Sequence, residues 1–84
     1  MYYVYIIQSQ KDSNIYIGFT NDLEKRFQQH NSGSVRSTKS RIPFVMLYYE
    51  ALNSKIEAVE REKYFKSGCG RSSMKRLLKH VGFV

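Results

Sequence analysis

The chain has few residues of the kinds that make covalent or metal cross-links. Its 84 residues include a single cysteine, Cys69, and two histidines, His30 and His80. One thiol cannot form an intramolecular disulfide, and so few thiols and imidazoles do not suffice for a closed zinc site. A reducing, intracellular setting fits this composition, and we expect a cytoplasmic protein. The glycines on both sides of Cys69 favour a structural turn there over a redox centre.

Long hydrophobic runs and acidic residues are also scarce. The longest apolar run, residues 2–7, is far too short to cross a bilayer, and no basic segment precedes it, so no membrane association is expected. The chain has seven acidic and fourteen basic residues, which gives a net charge of +7. Such an excess indicates a polyanionic partner, most often nucleic acid. A basic surface that only confers solubility is the alternative.

The length and the hydrophobic content of 42% predict a single folded domain over residues 1–84. β-Branched and aromatic residues predict strands over 2–9, 15–19 and 44–50. Helical patterns follow over 21–33, from Ser54 onwards, and again after the glycines near residue 70. The order β-β-α-β-α-α predicts an α+β fold in which helices cover a three-stranded antiparallel sheet.

The second predicted strand contains a glycine at a position where other residue types are favoured. Alternation places Ile15, Ile17 and Phe19 on one face of this strand and Tyr16 with Gly18 on the other. A glycine inside a strand often marks a place where a ligand or another backbone approaches closely. We therefore expect Tyr16 to lie beside an open space at Gly18, with a simple bulge as the alternative.

The predicted helix over 21–33 carries two polar groups at the border of its apolar face. Leu23 and Phe27 centre that face, and Arg26 and His30, four residues apart, lie along its edge. This placement suits a site built against the sheet. A solvated charge and a histidine that interacts with the helix dipole are the plain alternatives.

The second predicted helix carries an unusual acid. Ser54 and Glu57 have the spacing of a capping box, which predicts the helix start. Glu62 falls within the apolar arc that contains Ala58 and Phe65, and a buried carboxylate is costly unless it is paired or binds a metal. An ion pair with the lysine four residues later is the alternative.

Glycines at 68 and 70 predict a break over 67–70, with Ser72 or Ser73 as the cap of a last helix. The polar side of that helix is basic. We expect it to follow a phosphate backbone through Arg71, Lys75, Arg76 and Lys79, unless it is only a solvated face.

The side chains that look misplaced for packing suit phosphodiester hydrolysis. They are two phenols, a guanidinium, an imidazole and a carboxylate, from Tyr5, Tyr16, Arg26, His30 and Glu62. An arginine can bridge two phosphate oxygens as charge develops on them. One carboxylate, completed by phosphate oxygens and water, is an ordinary Mg²⁺ shell. No carboxylate cluster of the kind that two-metal nucleases use can be assembled from the sequence.

In these motifs the chain resembles the GIY-YIG nucleases. "YVY" (3–5) and "YIG" (16–18) resemble the two halves of the family signature. "NDLEKRFQQH" (21–30) resembles the arginine helix, "EAVEREKYFK" (57–66) the metal-binding helix, and "STKSRIPF" (37–44) the loop before the third strand in small stand-alone members. The similarity covers nearly the whole chain, in the family's order.

The resemblance implies hydrolysis of DNA or RNA with a single metal ion. Tyr5 and Tyr16 would orient or deprotonate the attacking water, and His30 would assist proton movement. Arg26 would stabilise the developing negative charge, and Glu62 would hold Mg²⁺ or Mn²⁺.

Further nucleic-acid contacts are expected near the site and in the basic loop. The predicted positions are Gly18, Thr20, Asn21, Lys39 and Arg41, in addition to the basic residues of the last helix. Thr20 and Asn21 are equally compatible with simple capping of the helix that follows them.

The sequence thus predicts a metal-dependent endonuclease that acts on DNA rather than RNA, on single-stranded, flap or branched substrates. A nucleic-acid-binding module with vestigial or partner-dependent catalysis is the main alternative, and a purely structural interaction domain is a third. The sequence leaves open the oligomeric state, a requirement for a partner protein, and which tyrosine is the general base.

Overall fold

The computed structural model describes residues 1–80, and the side chains of residues 1–78. Its elements are β1 (Tyr2–Ser9), β2 (Ile15–Thr20), α1 (Leu23–Ser32), a 3-10 turn (Lys39–Arg41), β3 (Phe44–Leu52), α2 (Lys55–Lys66) and α3 (Gly68–His80). The predicted order β-β-α-β-α-α is confirmed. None of the described helices is long and apolar enough to cross a membrane.

The three strands form one antiparallel sheet in the order β2-β1-β3. β2 is therefore an edge strand, and its register places Gly18 directly opposite Tyr5 of β1. Alternate residues of β1 face opposite sides: Val4 and Ile6 belong to one apolar cluster, and Tyr5 and Ile7 belong to another. The predicted alternation along β2 is confirmed.

Each face of the sheet is covered by different helices. Ala58 and Phe65 of α2 pack with Met74 and Leu78 of α3 in the first cluster. Residues of α1 pack in the second cluster, where Leu23 and Phe27 lie against the Tyr5 side of the sheet. The site residues of α1 and α2 therefore approach the sheet from opposite faces.

Side-chain hydrogen bonds define the ends of α1. The Asp22 side chain accepts from the Lys25 amide at 3.1 Å, and Gly33 ends the helix with a φ of 82°. Asp22 is thus the cap, and the helix is shorter at both ends than the predicted range 21–33. Asn31 fixes α1 to β3, because its side-chain amide accepts from the Phe44 amide at 2.6 Å and donates to the Phe44 carbonyl at 3.1 Å.

The predicted start of α2 is confirmed, since the Ser54 hydroxyl caps it by accepting from the Glu57 amide at 3.2 Å and also donates to the Glu57 carboxylate at 3.1 Å. Arg61 attaches this helix to β3 by donating two hydrogen bonds to Glu50, at 2.8 and 3.0 Å. Because Arg61 is the neighbour of Glu62 in the chain, these bonds hold the turn of α2 that contains Glu62 against the sheet.

The predicted break over 67–70 is shorter in the structure: α2 ends at Lys66 and α3 already begins at Gly68, so only Ser67 separates them. Ser67 caps it by accepting from the Gly70 amide at 3.1 Å, so Ser72 and Ser73 are not caps. Glycine is a poor helix former, which made the segment read as a break. At position 70 a side chain would overlap the Tyr64 carbonyl, so the glycine permits α2 and α3 to meet closely. Cys69 lies exposed in the first turn of α3 rather than in a turn between helices.

Candidate active site

Tyr5 lies at the centre of the predicted site residues, and Gly18 explains how it reaches them. A Cβ atom built on Gly18 would lie 2.5 Å from the Tyr5 hydroxyl oxygen and 2.8 Å from its ring carbon Cζ. Such distances are too short for real atoms, so the absent side chain is what lets the Tyr5 ring lie across β2. The space beside Gly18 is filled by Tyr5, and this corrects the expectation that it is an open gap for a ligand.

His30 bonds to the Tyr5 hydroxyl from α1. Its Nε2 lies 2.8 Å from that hydroxyl, and its Nδ1 lies 2.8 Å from the Thr38 hydroxyl. His30 is fully buried rather than at the border of the apolar face. Burial, and then the nearby Arg26 guanidinium, lower the pKa of His30 to about 4. The ring is therefore neutral near pH 7 and can accept a hydrogen bond.

The charges around Tyr5 are visible in its pKa. Burial raises the pKa of Tyr5 to about 12; the nearby Arg26 guanidinium opposes this rise, while Tyr16 and Glu62 add to it electrostatically. The Tyr5 side chain is 1% exposed and stays protonated at neutral pH. The other four predicted catalytic side chains are therefore within electrostatic reach of the Tyr5 hydroxyl group or in contact with it.

Tyr16 is the tyrosine nearer to solvent. Its ring centre is 6.3 Å from that of Tyr5 and 5.0 Å from that of His30, and its side chain is only half-buried. It lines a groove of about 560 Å³, here called the Tyr16 groove, together with Lys66, Arg71 and Lys75. Three cations thus border the space that Tyr16 faces.

Arg26, on α1, lies beside the part of β2 that follows Gly18. It is half-buried and donates to the Gln29 side chain at 3.3 Å. With Lys25 and Lys55 it lines a second groove of about 430 Å³, here called the Arg26 groove. Phe19 and Thr20 line this groove too, whereas residues 15–17 line the Tyr16 groove. The two basic grooves therefore flank Gly18 at the free edge of β2.

Glu62 reaches the same region from α2. Its side chain is 19% exposed, and its nearest ionic partner is the Lys66 ammonium group at 3.6 Å. That i,i+4 pair is long and contributes only a few tenths of a kcal/mol. In the described residues, no group of three or more His, Cys, Asp or Glu side chains could hold a metal ion. Glu62 therefore fits a hydrated ion that takes one protein carboxylate, and not a site closed by protein ligands.

The pattern of a central tyrosine, an arginine helix and a lone glutamate on a second helix has a match among known proteins. The profile of the GIY-YIG catalytic domain matches residues 1–76. The chain belongs to the GIY-YIG family. Membership carries a nuclease fold and nucleic acid as the class of substrate.

Small proteins of the UPF0213 group are similar to this GIY-YIG domain. A UPF0213 protein of Clostridium perfringens is 45% identical over 67 residues, which cover 79% of this chain and 71% of the relative. One from Streptococcus agalactiae is 34% identical over 79 residues, covering 93% and 89%. The solution NMR structure of a UPF0213 protein from Bacillus halodurans has a TM-score of 0.56 and 33% identity, and the match covers 92% of this chain and 85% of that one.

The other predicted contacts of the GIY-YIG domain differ in their surroundings. The Thr20 hydroxyl accepts from the Asp22 amide at 3.1 Å, so Thr20 supports the helix start, while Asn21 is exposed and lines the Arg26 groove. Lys39 is exposed. Arg41 is not a free cation: it is 23% exposed and forms an ion pair with Asp12 at 2.9 Å.

The basic face of α3 is only partly described. Arg71, Lys75 and Arg76 are exposed, and the first two line the Tyr16 groove. The side chain of Lys79 lies outside the described residues.

Two features of the site were missed from the sequence. Lys25, Lys55 and Lys66 border the grooves; Lys25 and Lys66 lie within four residues of a predicted site residue, whereas no sequence signal pointed to Lys55. Thr38 lies in the loop before the third strand, where the sequence singled out only Lys39 and Arg41, yet it is fully buried against His30. Its one available signal was indirect: a buried imidazole has two nitrogens and needs two partners.

Proposed function

We propose that this GIY-YIG domain is an endonuclease that hydrolyses phosphodiester bonds in DNA with the aid of one divalent metal ion. The observation that carries the proposal is the convergence of Tyr5, Tyr16, Arg26, His30 and Glu62 at Gly18 on the free edge of β2. Hydrolysis of a phosphodiester requires a group that orients water, a donor for the phosphate oxygens and a metal ligand. These side chains supply one of each.

Glu62 is the residue that would hold the ion, as Mg²⁺ or Mn²⁺. A lone, partly exposed carboxylate suits these cations, because Mg²⁺ retains several waters and takes phosphate oxygens as further ligands. When bound, such an ion supplies Lewis-acid stabilisation of the negative charge on the phosphate. The ammonium group of Lys66 is close enough to exchange its weak contact with Glu62 for one with the phosphate.

The remaining groups act on the substrate and on the attacking water. The Arg26 guanidinium presents several donors to the phosphate oxygens as their charge increases, an interaction that is strong in a partly desolvated site. Tyr16, half-buried and facing a groove, orients the water. Tyr5 and His30 lie behind it and provide a short internal route for a proton, since their hydroxyl and Nε2 atoms are 2.8 Å apart.

The two grooves suggest how the substrate strand lies. Lys25, Arg26 and Lys55 line one side of Gly18, and Lys66, Arg71 and Lys75 line the other. A strand that follows β2 through both grooves would have its phosphates next to cations on either side of the catalytic residues. Single strands, flaps and branched junctions are therefore the proposed substrates.

The decisive experiment is a cleavage assay with end-labelled single-stranded, duplex and branched DNA and with RNA. Each substrate is incubated with Mg²⁺, with Mn²⁺ or with EDTA. Cleavage should require a divalent ion and should fall at least about a hundredfold in Glu62→Gln and in Arg26→Ala, because each removes a group that binds the developing charge.

The controls are Glu60→Gln and Lys63→Ala, which remove the same charges from exposed positions of α2. They should cleave at the wild-type rate. Cleavage that persists in the Glu62 and Arg26 variants would identify a contaminating enzyme and refute the assignment. Salt-sensitive binding without cleavage of any substrate would instead identify a nucleic-acid-binding module.

A further inference from the structure

Thr38 connects the loop before β3 to the centre of the site. Its hydroxyl is 2.8 Å from His30 Nδ1, and the opposite ring nitrogen, Nε2, is 2.8 Å from the Tyr5 hydroxyl. Thr38 and His30 are both fully buried, and Tyr5 is 1% exposed. Water does not have free access to these three groups, so each proton must find its partner within the chain.

The placement of these protons follows from counting donors and acceptors. The Thr38 hydroxyl also lies 3.4 Å from the Val35 carbonyl, a group that can only accept. If Thr38 donates to Val35, its oxygen accepts from His30 Nδ1–H, and the unprotonated Nε2 accepts from the Tyr5 hydroxyl. All three protons are then used.

The opposite arrangement leaves one proton without an acceptor. With Thr38 donating to Nδ1, the proton of the neutral ring would be on Nε2 and would point at the Tyr5 oxygen. The Tyr5 proton would then need another acceptor, and the hydrogen bonds found among residues 1–78 give it none. A buried donor without a partner is unfavourable, so the first arrangement is preferred.

We propose that Thr38 is a positioning residue of the active site. It fixes His30 as the Nδ1–H tautomer, so that the unprotonated Nε2 accepts a hydrogen bond from the Tyr5 hydroxyl. The lone pairs of the Tyr5 oxygen then face away from His30, towards Arg26 and the substrate. This orientation leaves the Tyr5 oxygen free to accept a hydrogen bond from Arg26 during the reaction. The catalytic consequence rests on the proposed nuclease function, whereas the tautomer itself does not.

The tautomer can be measured without any substrate. In ¹⁵N-labelled protein, long-range proton–nitrogen correlation spectra at neutral pH distinguish a protonated from an unprotonated ring nitrogen, and the His30→Asn variant assigns the signals. Wild type should show His30 with its proton on Nδ1, and so should Thr38→Ser, which keeps the hydroxyl. Thr38→Val, which has nearly the same shape but offers Nδ1–H no acceptor, should remove this preference, so that both tautomers are populated.

Activity supplies an independent readout. With single-stranded DNA and Mn²⁺, Thr38→Val should lower kcat about tenfold with little change in KM, because its role is orientation rather than binding. Thr38→Ser should restore most of kcat, and Ser37→Ala, an exposed hydroxyl in the same loop, should match wild type.

The spectra decide the proposal even if Thr38→Val does not fold. A wild-type ring with its proton on Nε2 would overturn it, as would a folded Thr38→Val protein with the wild-type tautomer. Absence of cleavage by the wild-type protein would count against the nuclease function alone, since the spectra still report whether Thr38 fixes the ring.

Discussion

Replacing Gly18 with alanine tests the central packing relationship of the site. The added methyl carbon would begin 2.5 Å from the Tyr5 hydroxyl oxygen and 2.8 Å from ring carbon Cζ. Both lie well inside van der Waals contact, so the Tyr5 ring or the backbone of β2 must move. Tyr5 is 1% exposed and its hydroxyl bonds to His30, which leaves the ring little room to shift without breaking that bond.

The expected cost has two parts. Forcing an extra methyl group into a well-packed region typically destabilises a protein by about 1–3 kcal/mol. Loss of the Tyr5–His30 bond leaves buried polar groups unpaired and adds about 1–3 kcal/mol. A total of roughly 2–6 kcal/mol is a large part of the stability of a small domain. It corresponds to a fall in melting temperature of at least about 8 °C for a chain of this size.

The assay is equilibrium urea denaturation followed by far-ultraviolet circular dichroism, without nucleic acid or metal. Gly68→Ala is the matched control, because nothing lies within 4 Å of the position where its Cβ would be. It should leave the free energy of unfolding unchanged or raise it slightly, since alanine is the better helix former. Full stability of Gly18→Ala with impaired binding of DNA would refute the reasoning: the space would then serve the substrate and not Tyr5.

Three further predictions concern pH, salt and capping. Burial lowers the pKa of His30 from 6.5 to about 4, so between these values the unfolded chain binds a proton that the folded chain does not. The free energy of unfolding should therefore fall by up to roughly 3 kcal/mol as the pH falls from about 7 to about 4, and His30→Asn should flatten this profile in urea titrations. Lys75→Gln should make the plot of log binding constant for DNA against log salt concentration less steep, reducing the magnitude of its negative slope by about one. Lys63→Gln, which lies away from the two grooves, should leave the slope unchanged. Ser54→Ala should cost about 1 kcal/mol in thermal denaturation because it removes a cap, and Ser72→Ala should be neutral.

The sheet and two of the three helices could be predicted from the sequence because their signals are local. Alternation along residues 15–19 gives the correct faces of β2, and the Ser54–Glu57 spacing gives the correct start of α2. The start of α3 could not be predicted in this way. Its first turn contains glycines whose low helix propensity is outweighed by the close contact of Gly70 with α2 and by the Ser67 cap, and both are tertiary features.

The candidate site shows the same division between local and tertiary information. The spacing of Arg26 and His30 on a helix, and the position of Glu62 in an apolar arc, place these side chains towards the sheet. The burial of Thr38 depends on how the loop before β3 folds back on α1, which no local pattern encodes. The ion pair of Arg41 with Asp12 likewise joins two loops far apart in the chain. No local pattern indicates this pair, so the sequence alone predicts that Arg41 is available to contact nucleic acid.

The two tyrosines illustrate what only the three-dimensional arrangement can decide. In the sequence, Tyr5 and Tyr16 are equivalent mid-strand phenols, and neither is preferred as the group that handles water. The register of β1 with β2 places Tyr5 across Gly18, where burial raises its pKa to about 12 and His30 takes its hydrogen bond. Tyr16, one strand further out, is only half-buried and lines the groove that Lys66, Arg71 and Lys75 border. A strand bound in that groove would meet Tyr16 first, and we therefore propose Tyr16 as the group that orients water, with Tyr5 and His30 behind it.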